Sequence, residues 1–389
     1  MIFIWLIIDS ITGLFISYGI NMPLSQLFKL LLLVLVIVRL YKNRFVFFSL
    51  FVLLLYIAWY FLHLAMIDKD FVTPMLLLSK FLSLLFLYLY FRMSFINFPV
   101  ITIRNARKAM IIAWFVVAFN VVAGLMGYGV PSYGEDAEDM GVKGFFFAGN
   151  ELGGIMAVLV PFMVYQILIR ISGFKALIAY IVIILVGVLI GTKSSLLVTL
   201  LSVIMVPILY MSSKKRFIFI LGLTIITGLS FSYVSNMLED VSIGAIDRWS
   251  YFYDTGGLMR LIFSGRDEYW EQSKLLFFNS DFMTQMFGMG AEGKFVERDH
   301  LDFLLVFGYS GLAVIILFLL YLLLSSIHCR HHNSLMKVVI FSNFLVLGIG
   351  YMAGHVWFSA MASVYIALLN AFTYIHYNGI LYGCRISKN

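Results

Sequence analysis

Apolar residues run along this chain in long unbroken blocks, unlike the stripes of a surface helix or the alternation of a half-buried strand. Blocks of roughly 20 residues predict membrane spans near 2–20, 24–40, 45–66, 71–91, 108–127, 147–169, 174–191, 194–212, 216–235, 303–325, 335–353 and 356–378, about twelve in all. A helix of that length satisfies its own backbone polar groups, so the expected fold class is an all-α polytopic membrane protein. The polar positions set the connections. Those at 21–23 and 353–355 are tight turns, 128–146 is a modest loop, and 236–302 is long enough to form a small cap. The expected organisation is helices 1–9 over residues 1–235, a long, partly helical loop over 236–302, and helices 10–12 over 303–389. Within the loop, the stretch from Gly265 to Phe278 has a helical apolar pattern (Trp270, Leu275, Phe277, Phe278), and Phe287-Gly-Met-Gly290 reads as a turn. No internal repeat of the kind found in many transporters is visible.

Composition agrees with a lipid solvent. The 389 residues are 62% hydrophobic and 12% charged, with a mean hydropathy of +0.99, whereas a soluble chain is about half apolar and a quarter charged. The net charge of +7 would suit nucleic acid, but the placement of the charges excludes that partner. Alternate loops are purely basic: Arg39, Lys42 and Arg44; Arg92, Arg104, Arg107 and Lys108; Arg170 and Lys175; Lys214, Lys215 and Arg216; Arg330 and Lys337; Arg385 and Lys388. Asp68, Asp70, Glu135, Asp136, Glu138, Asp139 and the acids of 236–300 fall in the other set. The positive-inside rule then puts both termini in the cytoplasm and the long acidic loop on the outer face. The first segment has no basic leader and carries Asp9, which predicts a retained helix. Cys329 and Cys384 fall at cytoplasmic helix ends, where no disulfide is expected.

Candidate chemistry gathers on that outer face. In Lys143-Gly-Phe-Phe-Phe-Ala-Gly149-Asn150, Asn150 is placed to cap a helix whose N-terminus favours an anion; capping alone is the plainer reading. Gly191-Thr-Lys193-Ser-Ser lacks the Gly-rich lead of a P-loop, so Lys193 either snorkels or meets a phosphate. The long loop holds Arg248, Arg260 and Ser264-Gly-Arg266-Asp-Glu-Tyr-Trp270, and guanidinium suits bidentate phosphate recognition where a surface ion pair does not already explain it. Glu297-Arg-Asp299-His300-Leu-Asp302 leads into a span, with His300 projecting roughly 100° from Asp299. One of these groups can serve as a general base. His63 and His355 are further outer-face candidates, and Asp9 and Lys80, each about 13 Å along its helix, lie at depths that allow an intramembrane ion pair with a structural role. The acids of 135–139 have no regular ligand spacing and read as a solvated loop, so no metal or other cofactor is expected.

These residues resemble the bacterial O-antigen ligase and O-antigen polymerase superfamily of integral membrane glycosyltransferases. The resemblance is carried by Gly265-Arg266 followed by Trp270, the Phe-Gly-Met-Gly turn, and an acidic/His segment running into a helix with Gly308 and Gly311. Gly144 to Asn150 with Pro161 is similar to an earlier motif of the family, and Thr192-Lys193-Ser194 to its short cationic turn; Lys143 and Lys193 stand where many relatives have Arg. The resemblance implies a bacterial cytoplasmic-membrane enzyme acting on an undecaprenyl-diphosphate-linked oligosaccharide donor. A hydroxyl of a glycan acceptor attacks the anomeric carbon with inversion and without metal, and a flippase and a chain-length regulator are the implied partners. Arg266, Arg260, Lys193, Lys143 and Arg248 would face the diphosphate. The base stays open: His300-Leu-Asp-Phe303 fits the ligase pattern, while Glu297, Asp299 and Asp302 fit the acidic polymerase pattern. A repeat-unit polymerase is the expected activity, a ligase to another acceptor the nearest alternative, and a lipid-linked oligosaccharide flippase the alternative from another class.

Overall fold

The computed structural model describes residues 2–41, 44–67, 69–129, 141–146, 149–211, 243–290, 295–331 and 334–375. The expected span at 216–235 and the acids of 135–139 lie outside the described residues. The fourteen α-helices among the described residues are α1 (Trp5–Ser17), α2 (Leu24–Leu40), α3 (Arg44–Met66), α4 (Val72–Asn97), α5 (Pro99–Leu125), α6 (Gly149–Arg170), α7 (Phe174–Leu189), α8 (Lys193–Tyr210), α9 (Ile243–Phe263), α10 (Arg266–Phe278), α11 (Phe282–Phe287), α12 (Asp299–His328), α13 (Ser334–Met352) and α14 (Ser363–Ala371). Six are long and apolar enough to cross a membrane, namely α4, α5, α6, α8, α12 and α13, and shorter apolar helices accompany them. The axis is α6. Its apolar stretch is 83% buried against 39% for α4 and α8, and α8, α13, α5 and α14 pack around it. Gly153 and Gly154 permit this approach, since a Cβ on Gly153 would lie 2.4 Å from Ser194 Oγ.

Three features depart from the sequence reading. The helix that carries the fifth expected span starts at Pro99, nine residues ahead of the span itself, because proline fits the first helical turn and forces Phe98 out of it (φ −137°, ψ 58°). The last span does not begin at 356: residues 353–362 are irregular and helix resumes at Ser363. Such backbone is tolerated at membrane depth only when protein supplies its hydrogen bonds, and here a carboxylate does so. Finally, Asp9 pairs with Lys29 at 2.6 Å and takes the Ser25 hydroxyl, while Lys80 faces Glu151 at 3.9 Å. Equal depth along two helices says nothing about which faces meet, and Lys29 lies on the neighbouring α2.

At the loop end of the bundle α12 is broken. Gly308 (φ 66°) divides it into a short segment from Asp299 and a stretch of about 20 residues, the length that covers the hydrocarbon core. The Phe-Gly-Met-Gly turn seats in this break. A Cβ on Gly308 would lie 2.5 Å from Gly288 N, and one on Gly288 2.1 Å from Val306 O, so neither position admits a side chain. The freed carbonyls find partners: Met289 N–H donates to Leu305 O at 2.9 Å and Tyr60 Oη to Val306 O at 2.9 Å. Tyr56 and His63 complete one face of α3, reaching Ser310 Oγ at 2.8 Å and Gly288 O at 3.0 Å. His63 therefore holds the turn.

Candidate active site

The loop Phe263–Arg266 forces a sharp corner between α9 and α10. Ser264 (φ 54°) and Gly265 (φ 82°) are both left-handed there. Lys193, at the start of α8, ties the corner down by donating to Leu261 O at 3.0 Å and Ser264 Oγ at 3.1 Å, with its ammonium 5.2 Å from the Phe252 ring centre. The backbone continues this line of contact: Val142 N–H donates to Leu189 O at 2.8 Å, and Gly141 lies directly against Gly191. Lys143 is thus brought beside the Lys193 turn. Burial pulls its ammonium below the usual lysine range.

Beyond the corner, Arg266 Nε and Nη2 donate to one oxygen of Glu297 at 3.1 and 3.0 Å. That leaves the other N–H groups of the fork for a second anion. Arg260 is engaged by Glu268. The Trp270 ring packs edge-on against Phe278, with centroids 6.2 Å apart, in the small core under α10. The side chains of Arg248 and Asn150 lie outside what the structure describes.

The segment 297–302 sorts its four candidates into two kinds. Asp299 is fully buried and accepts the N–H groups of His355 (2.5 Å), Val356 (2.9 Å) and Trp357 (2.8 Å). Asp302, also buried, accepts Val296 N–H at 2.8 Å. Both carboxylates are therefore occupied in holding backbone. Glu297 and His300 face outward from them. Glu297 is left-handed (φ 59°), and its backbone abuts Gly354. The His300 ring stacks on Tyr351 (4.4 Å, 11°), and its buried Nδ1 has no hydrogen-bond partner. A buried nitrogen left without a partner calls for an explanation, and a ligand proton or hydroxyl supplies one.

Three residues for which the sequence suggests no role, Arg298, Tyr351 and Glu151, complete the arrangement. Arg298 lies over the rings of Phe263 (3.9 Å) and Tyr351 (4.9 Å) and donates to Tyr351 O at 3.2 Å. Burial lowers its pKa from the ordinary guanidinium value, yet so strong a base stays charged. Tyr351 is the platform shared by Arg298 and His300. On the far side of the Asp299 cradle, Glu151 accepts the Ser359 hydroxyl at 2.6 Å. His355 sits between the two clusters, and its burial holds the imidazole below its usual pKa, while the carboxylates of Glu297 and Glu151 pull the other way. A signal for this site exists in the backbone: the three non-glycine residues with positive φ among the described residues are Ser264, Glu297 and His355, and all three border it. No cluster of three metal-ligating side chains occurs among the described residues.

Residues 255–378 match the family model of O-antigen ligase like membrane proteins. The match spans α10, the Phe-Gly-Met-Gly turn, the Glu297–Asp302 segment and the Asp299-bound turn, and it bears out the resemblance to the O-antigen ligase and polymerase superfamily. No curated protein and no solved structure matches the chain.

Proposed function

We propose, from the O-antigen ligase-like match over residues 255–378, that this membrane protein is a glycosyltransferase that joins undecaprenyl-diphosphate-linked repeat units on the outer face of the bacterial cytoplasmic membrane. The observation that carries the reading is the convergence of a half-engaged arginine fork, a second buried arginine and an unpartnered imidazole at the loop end of the bundle. Cleaving a glycosyl diphosphate develops negative charge on the leaving oxygens, and preorganised guanidinium groups stabilise it. Arg266 takes that charge, with Arg298 held nearby by Phe263 and Tyr351. His300 is the base: it accepts the proton of the acceptor hydroxyl as that oxygen attacks the anomeric carbon, opposite the departing diphosphate, so the configuration inverts. Asp299 and Asp302 keep the shape of the site and take no proton in this scheme. Glu297 orients Arg266.

A ligase differs from this only in its acceptor, and a flippase would transfer nothing. Purified protein, in lipid nanodiscs for transfer and in sealed vesicles for transport, given a lipid-linked repeat unit as sole substrate, separates the three. A ladder of longer lipid-linked products is expected. Transfer only after a different glycan or lipid acceptor is added would make the protein a ligase. Movement of lipid-linked sugar across vesicles without any transfer would overturn the enzyme reading.

A further inference from the structure

The sequence has no Asp or Glu over residues 71–134, 152–238 and 303–389. The cations of α5 and α7 and the one that ends α6 therefore have no carboxylate on those helices, or on α8, α13 and α14, to balance them. Most of these cations reach solvent, but Arg107 on α5 is half-buried, and its buried Nε has no hydrogen-bond partner among the described residues. The charges that act on it are Arg170, of like sign, and the Tyr165 phenol. Tyr165 is already engaged, since its hydroxyl lies 3.1 Å from Ser334 Oγ.

Viewed down α6, Tyr165 and Arg170 are roughly 140° apart, and Gln166 falls between them, about 40° from Arg170. The arc of α6 that faces Arg107 is thus the arc that carries Gln166. Gln166 is 5% exposed, yet neither its Nε2 nor its Oε1 has a partner among the described residues. Helices α5, α6 and α7 touch one another pairwise, and α7 returns after residues 171–173. Its Tyr180 hydroxyl, also buried and unpartnered, lies about 9 Å from the start of α7, close to the depth of Gln166 at about 6 Å from the end of α6. Open polar atoms gathered in one seam beside two guanidinium groups call for an anion. From Glu151 to Gln166 is about 22 Å along α6, so this seam is separate from the candidate active site.

We infer that the seam between α5, α6 and α7 binds the headgroup of an anionic phospholipid in the leaflet opposite that site. Arg107 and Arg170 flank the expected spans 108–127 and 147–169 at the depth of headgroup phosphates. Phosphate oxygens accept from Arg107 Nε–H, Arg170 and Gln166 Nε2. Gln166 Oε1 needs a donor, which a headgroup hydroxyl supplies. An ammonium headgroup would supply a donor too, but only by setting a third cation against two arginines. The chemistry thus selects a phosphodiester with a neutral, hydroxylated head, as in phosphatidylglycerol.

Binding of phosphatidylglycerol, phosphatidylethanolamine and inorganic phosphate to the delipidated full chain in detergent, counted by native mass spectrometry, tests the assignment without any transfer reaction. Phosphatidylglycerol is expected to bind at least about tenfold more tightly than phosphatidylethanolamine and to resist an excess of inorganic phosphate. Gln166→Leu removes both open amide atoms, and Arg170→Gln changes an exposed position. Each should weaken phosphatidylglycerol binding about tenfold, the worth of one hydrogen bond to a charged group. The melting midpoint of the delipidated protein should hold in both; should Gln166→Leu fail to fold, Arg170→Gln alone decides. Equal binding of the two lipids would overturn the proposal. Displacement by inorganic phosphate would make this a site for a free anion, and wild-type affinity in the folded variants would put the lipid elsewhere.

Discussion

Replacing Asp299 by Asn separates a cradle from a base. In the structure one carboxylate oxygen accepts His355 N–H and the other accepts those of Val356 and Trp357. An amide has one acceptor oxygen. If that oxygen keeps Val356 and Trp357, the NH2 group faces the N–H of His355, and a buried donor is left unsatisfied at a cost of about 1–3 kcal/mol. The same bond holds His355 at φ 58°, a conformation that a non-glycine residue adopts at roughly 1–3 kcal/mol. Against these, removing a buried charge recovers part of its desolvation cost. A net loss of about 2 kcal/mol in the local opening free energy of residues 353–362 follows, equivalent to about 30-fold faster amide exchange. Hydrogen–deuterium exchange of that segment in nanodiscs reads it directly. The reasoning is refuted if exchange is unchanged while turnover collapses, because Asp299 would then act as a titrating base.

Arg266→Lys keeps the charge and loses the fork, and should lower kcat/KM by about 10- to 100-fold, the worth of a charge-assisted hydrogen bond; unchanged transfer would remove Arg266 from the diphosphate. Gly308→Ala puts a Cβ 2.5 Å from Gly288 N at φ 66° and should destabilise the protein by about 2–4 kcal/mol in reversible denaturation, with an unaltered midpoint as the contrary result. His355 binds protons less readily in the folded protein than in the unfolded chain, whose histidine pKa is near 6.5. Its contribution to stability is therefore complete above about pH 6.5 and declines as pH falls below it, because the unfolded state then binds more protons. Asp299, pushed up to about 7 by burial, titrates in the same range with the opposite sign, so the His355 contribution is read as a difference: between pH 7.5 and 5.5, exchange of residues 353–362, corrected for intrinsic rate, should gain more speed in the wild type than in His355→Gln, and equal slopes would contradict it.

Block length was enough to read most of the helices from sequence, since a run of some 20 apolar residues has few alternatives in lipid. The α10 helix and the Phe-Gly-Met-Gly turn followed equally directly from periodicity and glycine spacing. What escaped were features fixed by contact. Val356-Trp-Phe-Ser-Ala-Met-Ala362 is as apolar as a span, and only the donors offered to Asp299 reveal that its start is irregular. Depth alone paired Asp9 with Lys80, whereas packing direction selects Lys29. Within the site motif, residue types marked His300 and Asp299 as equal candidates. Burial and partners distinguish their surroundings: one His300 ring nitrogen lacks a partner, whereas both Asp299 oxygens hold backbone N–H groups. Tyr351 carries no motif at all and entered through the ring it offers to Arg298 and His300.

In the proposed reaction His300 takes the acceptor's proton at a site built around Arg266. Single-turnover transfer from a pre-bound lipid-linked donor, at saturating acceptor, isolates that step from binding and product release. His300→Ala is expected to slow it by about 10²- to 10⁴-fold with donor affinity retained. A His300→Ala protein that transfers at the wild-type rate would contradict it.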